Sequence, residues 1–375
     1  MSTSYLSPSI IDSRTFRPRD NEMWPAHIVK AAAITEAVET LKLGAAGSNG
    51  RREGLIAHPA SREPGIGLAP STAVSYGVLL PGEKTQPRRT NASSFSIGIE
   101  GSAVAYVDDR KFSIAKWDGW NTPGMRIEVL ENKTDKPFIY VTYSNAPFLQ
   151  KLEVFYEEYN PPEASHISQT PEFADKLAKR ARAKDMAGKP RVVGDTGAML
   201  LPYEHLIDPD FIESRALHWR WEDVAPHMGL VRSLSQGYNG RPLWCLYNSA
   251  TGSRNGTTFS FFATMTSAAP NFIGPVHRHV SSAINLILEG SGWSIVNGER
   301  IEWEAGDIML SAPGWSPHGH AFGPQGAIVL TIQDHPLHIG AESLIWQEDL
   351  KNGPILSLGA QAGFETNISE FRKAE

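Results

Sequence analysis

Three histidines, His277, His279 and His318, are the residues whose types and spacing point most directly to chemistry. They stand in two runs, GPVHRHVSSAINLILEGSGW over 274–293 and GDIMLSAPGWSPHGH over 306–320. Successive side chains of a strand point to opposite faces, so His277 and His279 share a face. Asn297-Gly298 is a two-residue hairpin signal, because both turn positions call for positive φ. Gly290 with Gly292, and Gly306 with Asp307, read as further turns. Two or three short strands then fit between His279 and His318, and the chain returns the third imidazole to the first pair. Three neutral imidazoles converging inside a small barrel suit a first-row divalent metal. The competing explanation is a set of unrelated surface or core histidines. The paired spacing, the turns and the third histidine after Pro313-Gly314 favour the metal.

The neighbours divide by strand parity. His320 shares the parity of His318 and is read as a catalytic residue that orients a ligand or the substrate. It is also the alternative third ligand, although motif spacing favours His318. Asn285 shares the parity of the first pair, so it is expected to face the interior and bind substrate, with a structurally satisfied core amide as the other reading. Arg278 has the opposite parity and points away. For Trp293, Trp303 and Trp315 core packing is the default, with an aromatic pocket lining as the alternative. Cys245 reads as an inert buried thiol. His335 and His338 receive no role.

The elements that must position these residues follow from the rest of the 375-residue chain, which is long enough for two domains or a duplicated one. With 41% apolar and 20% charged residues it is an ordinary globular composition. A net charge of −6 and a pI near 6.1 give no basis for binding nucleic acid or a membrane surface. The single cysteine rules out an internal disulfide and fits a reducing compartment. No run is apolar enough for a secretion signal or a membrane span, so a cytoplasmic protein is expected. Residues 1–70 read as an irregular arm with a helix over 24–43. Short β-type runs begin at Ala73 and define a first barrel over 71–160. Residues 161–225 read as a linker, with an amphipathic helix over 171–186 whose basic half is a solvated face. Trp219 and Trp221 in this linker read best as core or interface packing, with packing against the second barrel, residues 226–375, as the other reading.

The two β regions look like copies. RRTNASSFSIGIEG over 88–101 lies under HRHVSSAINLILEG over 277–290, and Pro123-Gly124 under Pro313-Gly314. A repeat of that length means two whole domains of one kind. Arg88, Thr90 and Glu128 stand where the second copy has His277, His279 and His318, so the first copy makes a poor metal site. It is read as structural or as an aid to assembly, with a buried Arg88–Glu128 ion pair or a small-molecule pocket as the alternative.

The HRH run at 277–279, SSAINLILEGSG at 281–292 and PGWSPHGH at 313–320 resemble the cupin superfamily, and within it the gentisate 1,2-dioxygenases and their salicylate and hydroxynaphthoate relatives. The specific motifs lie in about fifty residues; the architectural likeness covers most of the chain. The resemblance implies a mostly β chain of two cupin barrels (double-stranded β-helix, jelly-roll) with a few peripheral helices. Many cupins carry a glutamate ligand where this chain has Ala283 and Ile284, which leaves three histidines and open coordination positions. In several familiar gentisate enzymes the iron-binding histidines sit in the first barrel, whereas here the occupied motif is in the second. The implied activity is an Fe(II)-dependent, extradiol-type ring-cleaving dioxygenase. It would use O2 to open a hydroxylated aromatic carboxylate of the gentisate or salicylate type. Imidazole serves manganese, nickel and zinc as well as iron. The alternatives are another metal-dependent cupin enzyme (lyase, decarboxylase or isomerase) and a non-enzymatic bicupin that binds small molecules. A homodimer or homotetramer is the expected assembly.

Overall fold

The computed structural model describes residues 5–14, 23–162, 171–207, 209, 212–234 and 236–372. The chain is mostly β and builds two barrels. The first pairs a six-stranded sheet, in the order 218–219, 119–122, 94–100, 138–144, 73–79, 52–56, with a five-stranded sheet, in the order 157–159, 88–90, 127–131, 103–107, 110–114. The second is a seven-stranded sheet. Its main path runs 243–245, 262–268, 318–333, 283–296, 308–312, 27–29, and the 299–304 strand pairs with 283–296. A three-stranded sheet of 278–279, 345–347 and 356–357 lies beside it.

Alternation along the strands explains how the barrels join. Val74, Tyr76, Val78, Ile97 and Val141 of the first barrel share one buried cluster with Ile284, Leu286, Leu310, Leu330 and Ile332 of the second. The opposite faces of the same strands point into the barrels. Inside the first lie Leu79, Trp120, Leu130 and Phe138. Inside the second lie Ile287, Trp303, Met309 and Val329. Each wall strand of the second barrel is thus apolar toward its neighbour and free to carry polar groups inward.

Several local expectations meet a different outcome. Gly290 and Gly292 make no turn, because strand Ala283–Val296 runs through them. Its pairing to His318–Gln333 shifts between Ile287 and Glu289 and again between Gly290 and Gly292, with Gly290 at φ 85°. A bulge bends one long strand around the barrel corner and spares a chain reversal. The reversal comes at Asn297-Gly298, with φ 51° and 83°, joining Val296 to Glu299. The helix expected over 24–43 is Ala31–Leu43, preceded by strand His27–Val29 on the edge of the second barrel's sheet. The β-branched Ile28 and Val29 suit that edge. Buried Asp307 fixes the helix start, accepting from Ala31 N–H at 2.8 Å and Lys30 Nζ at 2.6 Å.

Of the arm, residues 1–4 and 15–22 lie outside the described residues; Tyr5–Ser7 pairs with Ile10–Ile11 as a short ladder. Helix Pro171–Ala187 forms, but none of its described side chains is buried, so it has no packed apolar face. The ring partners of Trp219 and Trp221 are Phe95 and Trp117 of the first barrel, at 6.1 and 5.0 Å, because strand His218–Trp219 extends that barrel's sheet. Among the described residues no helix is long and apolar enough to cross a membrane.

Candidate metal centre and active site

His277 and His318 face each other across an antiparallel bridge, exchanging backbone bonds of 2.9 Å (His277 N–H to His318 C=O) and 2.8 Å in return. Opposed residues of such a pair project to one face, and His279 follows two residues on with the same parity. One ring nitrogen of each of the three lies within 4.8 Å of the others. All three side chains are buried.

The hydrogen bonds fix which nitrogens face inward. His279 Nδ1 lies 2.8 Å from the Ser281 carbonyl, His318 Nδ1 2.8 Å from the Ser316 carbonyl, and His277 Nδ1 3.2 Å from the Pro275 carbonyl. A carbonyl only accepts, so each Nδ1 carries the proton and each Nε2 keeps its lone pair free. The electrostatics agree. Burial, and then the charge of Arg241 and the other imidazoles, holds His277 well below its ordinary value. Burial and His318 do the same for His279. Burial takes His318 to about 4, with Arg241 adding to it. Three neutral imidazoles with aligned lone pairs and no carboxylate among them are a donor set that fits a divalent first-row metal and leaves coordination positions free.

The centre opens into a cavity of about 670 Å³. Its walls include Phe262, Phe272, Phe322, Val329 and Trp346, a largely apolar lining wide enough for an aromatic ring. His320 lines it as well, but its ring lies 6.0 Å from that of His318 and it stands outside the ligand trio. Ser294 Oγ accepts from Trp303 Nε1 at 3.0 Å and reaches His320 Nδ1 at 2.8 Å. With its proton given to Nδ1, the hydroxyl would hold His320 in the tautomer that carries Nε2–H. Burial lowers this imidazole to about 3, so it is neutral. Asn285 also lines the cavity, 6% exposed, and its Oδ1 has no hydrogen-bond partner among the described residues. Arg278 turns away, bonding Gln347 Oε1 at 2.9 Å and stacking on Trp315. Trp293 lies under Arg300, and of the three tryptophans Trp303 alone lines the cavity. Burial raises the Cys245 thiol to about 11, an unreactive state.

Two further residues carry no sequence signal. Arg241 enters the cavity from an irregular stretch, its guanidinium held by Glu348 at 2.8 Å and the Asn239 carbonyl at 3.2 Å. His335 also lines the cavity and touches Ser281 Oγ at 3.3 Å, a hydroxyl that itself lies 3.0 Å from His279 Nδ1.

No family model matches the chain. It is 24% identical over 293 residues to a 1-hydroxy-2-naphthoate 1,2-dioxygenase of Nocardioides sp. (strain KP7), covering 76% of this chain and 67% of that protein. Over 70 residues it is 37% identical to a gentisate 1,2-dioxygenase of Ralstonia sp., 18% of this chain and 19% of that one. The fold matches the solved salicylate 1,2-dioxygenase of Pseudaminobacter salicylatoxidans with a TM-score of 0.68 at 19% identity, over 88% of this chain and 89% of that one. The chain is similar to gentisate 1,2-dioxygenase-type cupins in sequence and shares the fold of a salicylate 1,2-dioxygenase. The match spans about two thirds of the naphthoate relative but less than a fifth of the Ralstonia one. The chain presents its histidine trio in the second of its two barrels.

Proposed function

We propose that the chain is a ring-cleaving dioxygenase for a hydroxylated aromatic carboxylate, with His277, His279 and His318 holding Fe(II). The observation that carries this is the trio of inward imidazoles at the wall of an apolar cavity that also holds a guanidinium. Bound there, the iron would supply the site at which O2 and the acid react. The protein residues do the rest. Arg241 pairs with the substrate carboxylate through the N–H groups that Glu348 and Asn239 leave free. Phe262, Phe272 and Phe322 hold the ring and exclude water. His320 donates from Nε2 to an oxygen of the reacting acid and so steadies the charge that develops there. Asn285 offers its unpaired oxygen to the substrate. The missing ligand carboxylate counts against an oxalate-decarboxylase-type reaction.

Two further readings belong here. By sequence the chain divides into the arm and helix (1–70), the barrel without ligands (71–160), the linker (161–225) and the metal-binding barrel (226–375), with strands 52–56 and 218–219 added to the first barrel's sheet and strand 27–29 to the second's. It assembles as a homodimer or homotetramer, a reading supported by the exposed Val192, Met199, Leu200 and Leu201.

Oxygen uptake by Fe(II)-loaded protein tests the proposal, with gentisate, salicylate, substituted salicylates and 1-hydroxy-2-naphthoate as substrates and His277→Ala as blank. Uptake with one acid, lost in the variant, is the expected result. No uptake from protein shown to hold iron would overturn the ring-cleavage reading.

A further inference from the structure

The wall strands of the cavity carry a row of neutral polar groups, of which the proposed chemistry uses Asn285 alone and without naming what it binds. Thr264, Thr331 and Asn285 stand side by side on three adjacent strands, Thr264 opposite Thr331 and Thr331 opposite Asn285. All three face the cavity. The next row on one side is Thr266, Val329 and Ile287, and on the other Phe262, Gln333 and Ala283. None of these nine positions is charged. Within the polar row the Thr264 hydroxyl already donates to the Thr331 carbonyl at 3.4 Å. The Asn285 oxygen has no partner, although its side chain is more than nine-tenths buried. A buried acceptor left unpaired is costly, and it is retained where a ligand completes it.

We infer that Thr264, Thr331 and Asn285 form a subsite for a neutral hydrogen-bond donor on the substrate ring, a hydroxyl or amino group separate from the groups that chelate the metal and pair with Arg241. The inference rests on the reading of this cavity as an aromatic-acid site. It narrows the substrate class to aromatic hydroxy-acids bearing a second donor. A carboxylate is excluded from the row, since an acceptor oxygen and neutral hydroxyls offer it no counter-charge. A methoxy or methyl group of similar size leaves Asn285 Oδ1 unpaired and is disfavoured. Sites built to hydrogen-bond a substrate hydroxyl discriminate strongly against analogues that lack it.

Binding, separated from turnover, is the test. The full-length Fe(II)-loaded protein is titrated without oxygen, by calorimetry, with salicylates carrying a hydroxyl at each free ring position and with the matching methoxy acids. At one position the hydroxy acid is expected to bind at least about tenfold more tightly than its methoxy partner. That ratio is expected to fall toward one in Asn285→Leu and in Thr331→Val, the second a same-shape change that keeps the strand. No preference at any position, binding of none of the acids, or a preference that survives in both variants would overturn the subsite. Ring cleavage is scored afterwards, with O2 added. Its absence for every acid overturns the dioxygenase reading, while a hydroxyl preference lost in the variants still upholds the subsite.

Discussion

Arg88 and Glu128 face each other across two antiparallel strands of the first barrel, in the relationship that His277 and His318 hold in the second. The first barrel thus fills its equivalent position with an ion pair, 3.6 Å between Arg88 Nη2 and Glu128 Oε2. Arg51 reaches the same carboxylate at 3.4 Å and Thr122 Oγ1 donates to it at 2.8 Å. Burial would push the Glu128 carboxyl up, but Arg51 and Arg88 outweigh it and hold the group ionised. A cavity of only about 150 Å³ remains beside the pair.

Glu128→Gln removes a charge from this buried cluster and leaves Arg51, whose side chain is 2% exposed, with Glu53 at 3.2 Å as its remaining carboxylate. Breaking a buried pair from one side costs about 3–5 kcal/mol. Urea unfolding is expected to show a loss of that order, with the metal content of the folded variant unchanged. An unaltered midpoint would mean that water already screens the cluster.

The ligand assignment separates neighbouring histidines. His277→Ala, His279→Ala and His318→Ala are each expected to lower bound iron at least about tenfold, since each removes one of three protein donors. His320→Ala is expected to keep its iron and lose about a hundredfold in kcat, the scale of a missing proton donor. Metal analysis beside steady-state kinetics decides between them. Iron retained by His318→Ala but lost from His320→Ala would exchange the two roles.

What the sequence made legible was local. His-X-His parity, the Asn297-Gly298 reversal and the matching of 88–101 to 277–290 depend on neighbours in the chain, and the strand ladders follow them. Bulges broke the parity rule. In strand His318–Gln333 the even positions His318, His320 and Phe322 line the cavity, and so do the odd positions Val329, Thr331 and Gln333. The register slips between them, and His335 lies beyond the strand in helix His335–Gly340, where strand alternation does not apply. Arg241 was invisible for another reason. It reaches the cavity from outside any strand and is held by Glu348, a partner far along the chain, so neither periodicity nor spacing marks it. Trp219 and Trp221 meet rings of the first barrel because a two-residue strand pairing at Gly119 and Trp120 carried them there, and they pack against the cluster that both barrels share.

Arg241→Gln tests the carboxylate partner. KM for the acid that proves to be the substrate is expected to rise about tenfold or more, the scale of a lost charge-assisted bidentate contact. Iron content stays unchanged, because the residue is not a ligand. The carboxamide of the same acid is expected to lose this sensitivity. Equal penalties on acid and amide would assign Arg241 to the shape of the cavity alone.

The buried imidazoles also set a pH dependence for the metal-free protein. Burial lowers His318 to about 4, His320 to about 3 and His335 to about 4, from 6.5 for an unperturbed histidine. Below pH 6.5 the unfolded chain takes up protons that the folded chain refuses, so stability falls as pH falls. Each group contributes up to about 1.4 kcal/mol per pH unit in this window. From about one unit above 6.5 both states are neutral and the contribution is flat. Between pH 6.5 and 5 most carboxylates stay ionised, so the histidines dominate the slope there. Denaturation midpoints of iron-free protein are expected to drop across that interval, and less steeply for His335→Asn, which removes one refusing group. A midpoint that holds steady or rises on acidification would mean that these rings are protonated inside the fold, and a protonated ring cannot offer its lone pair to a metal.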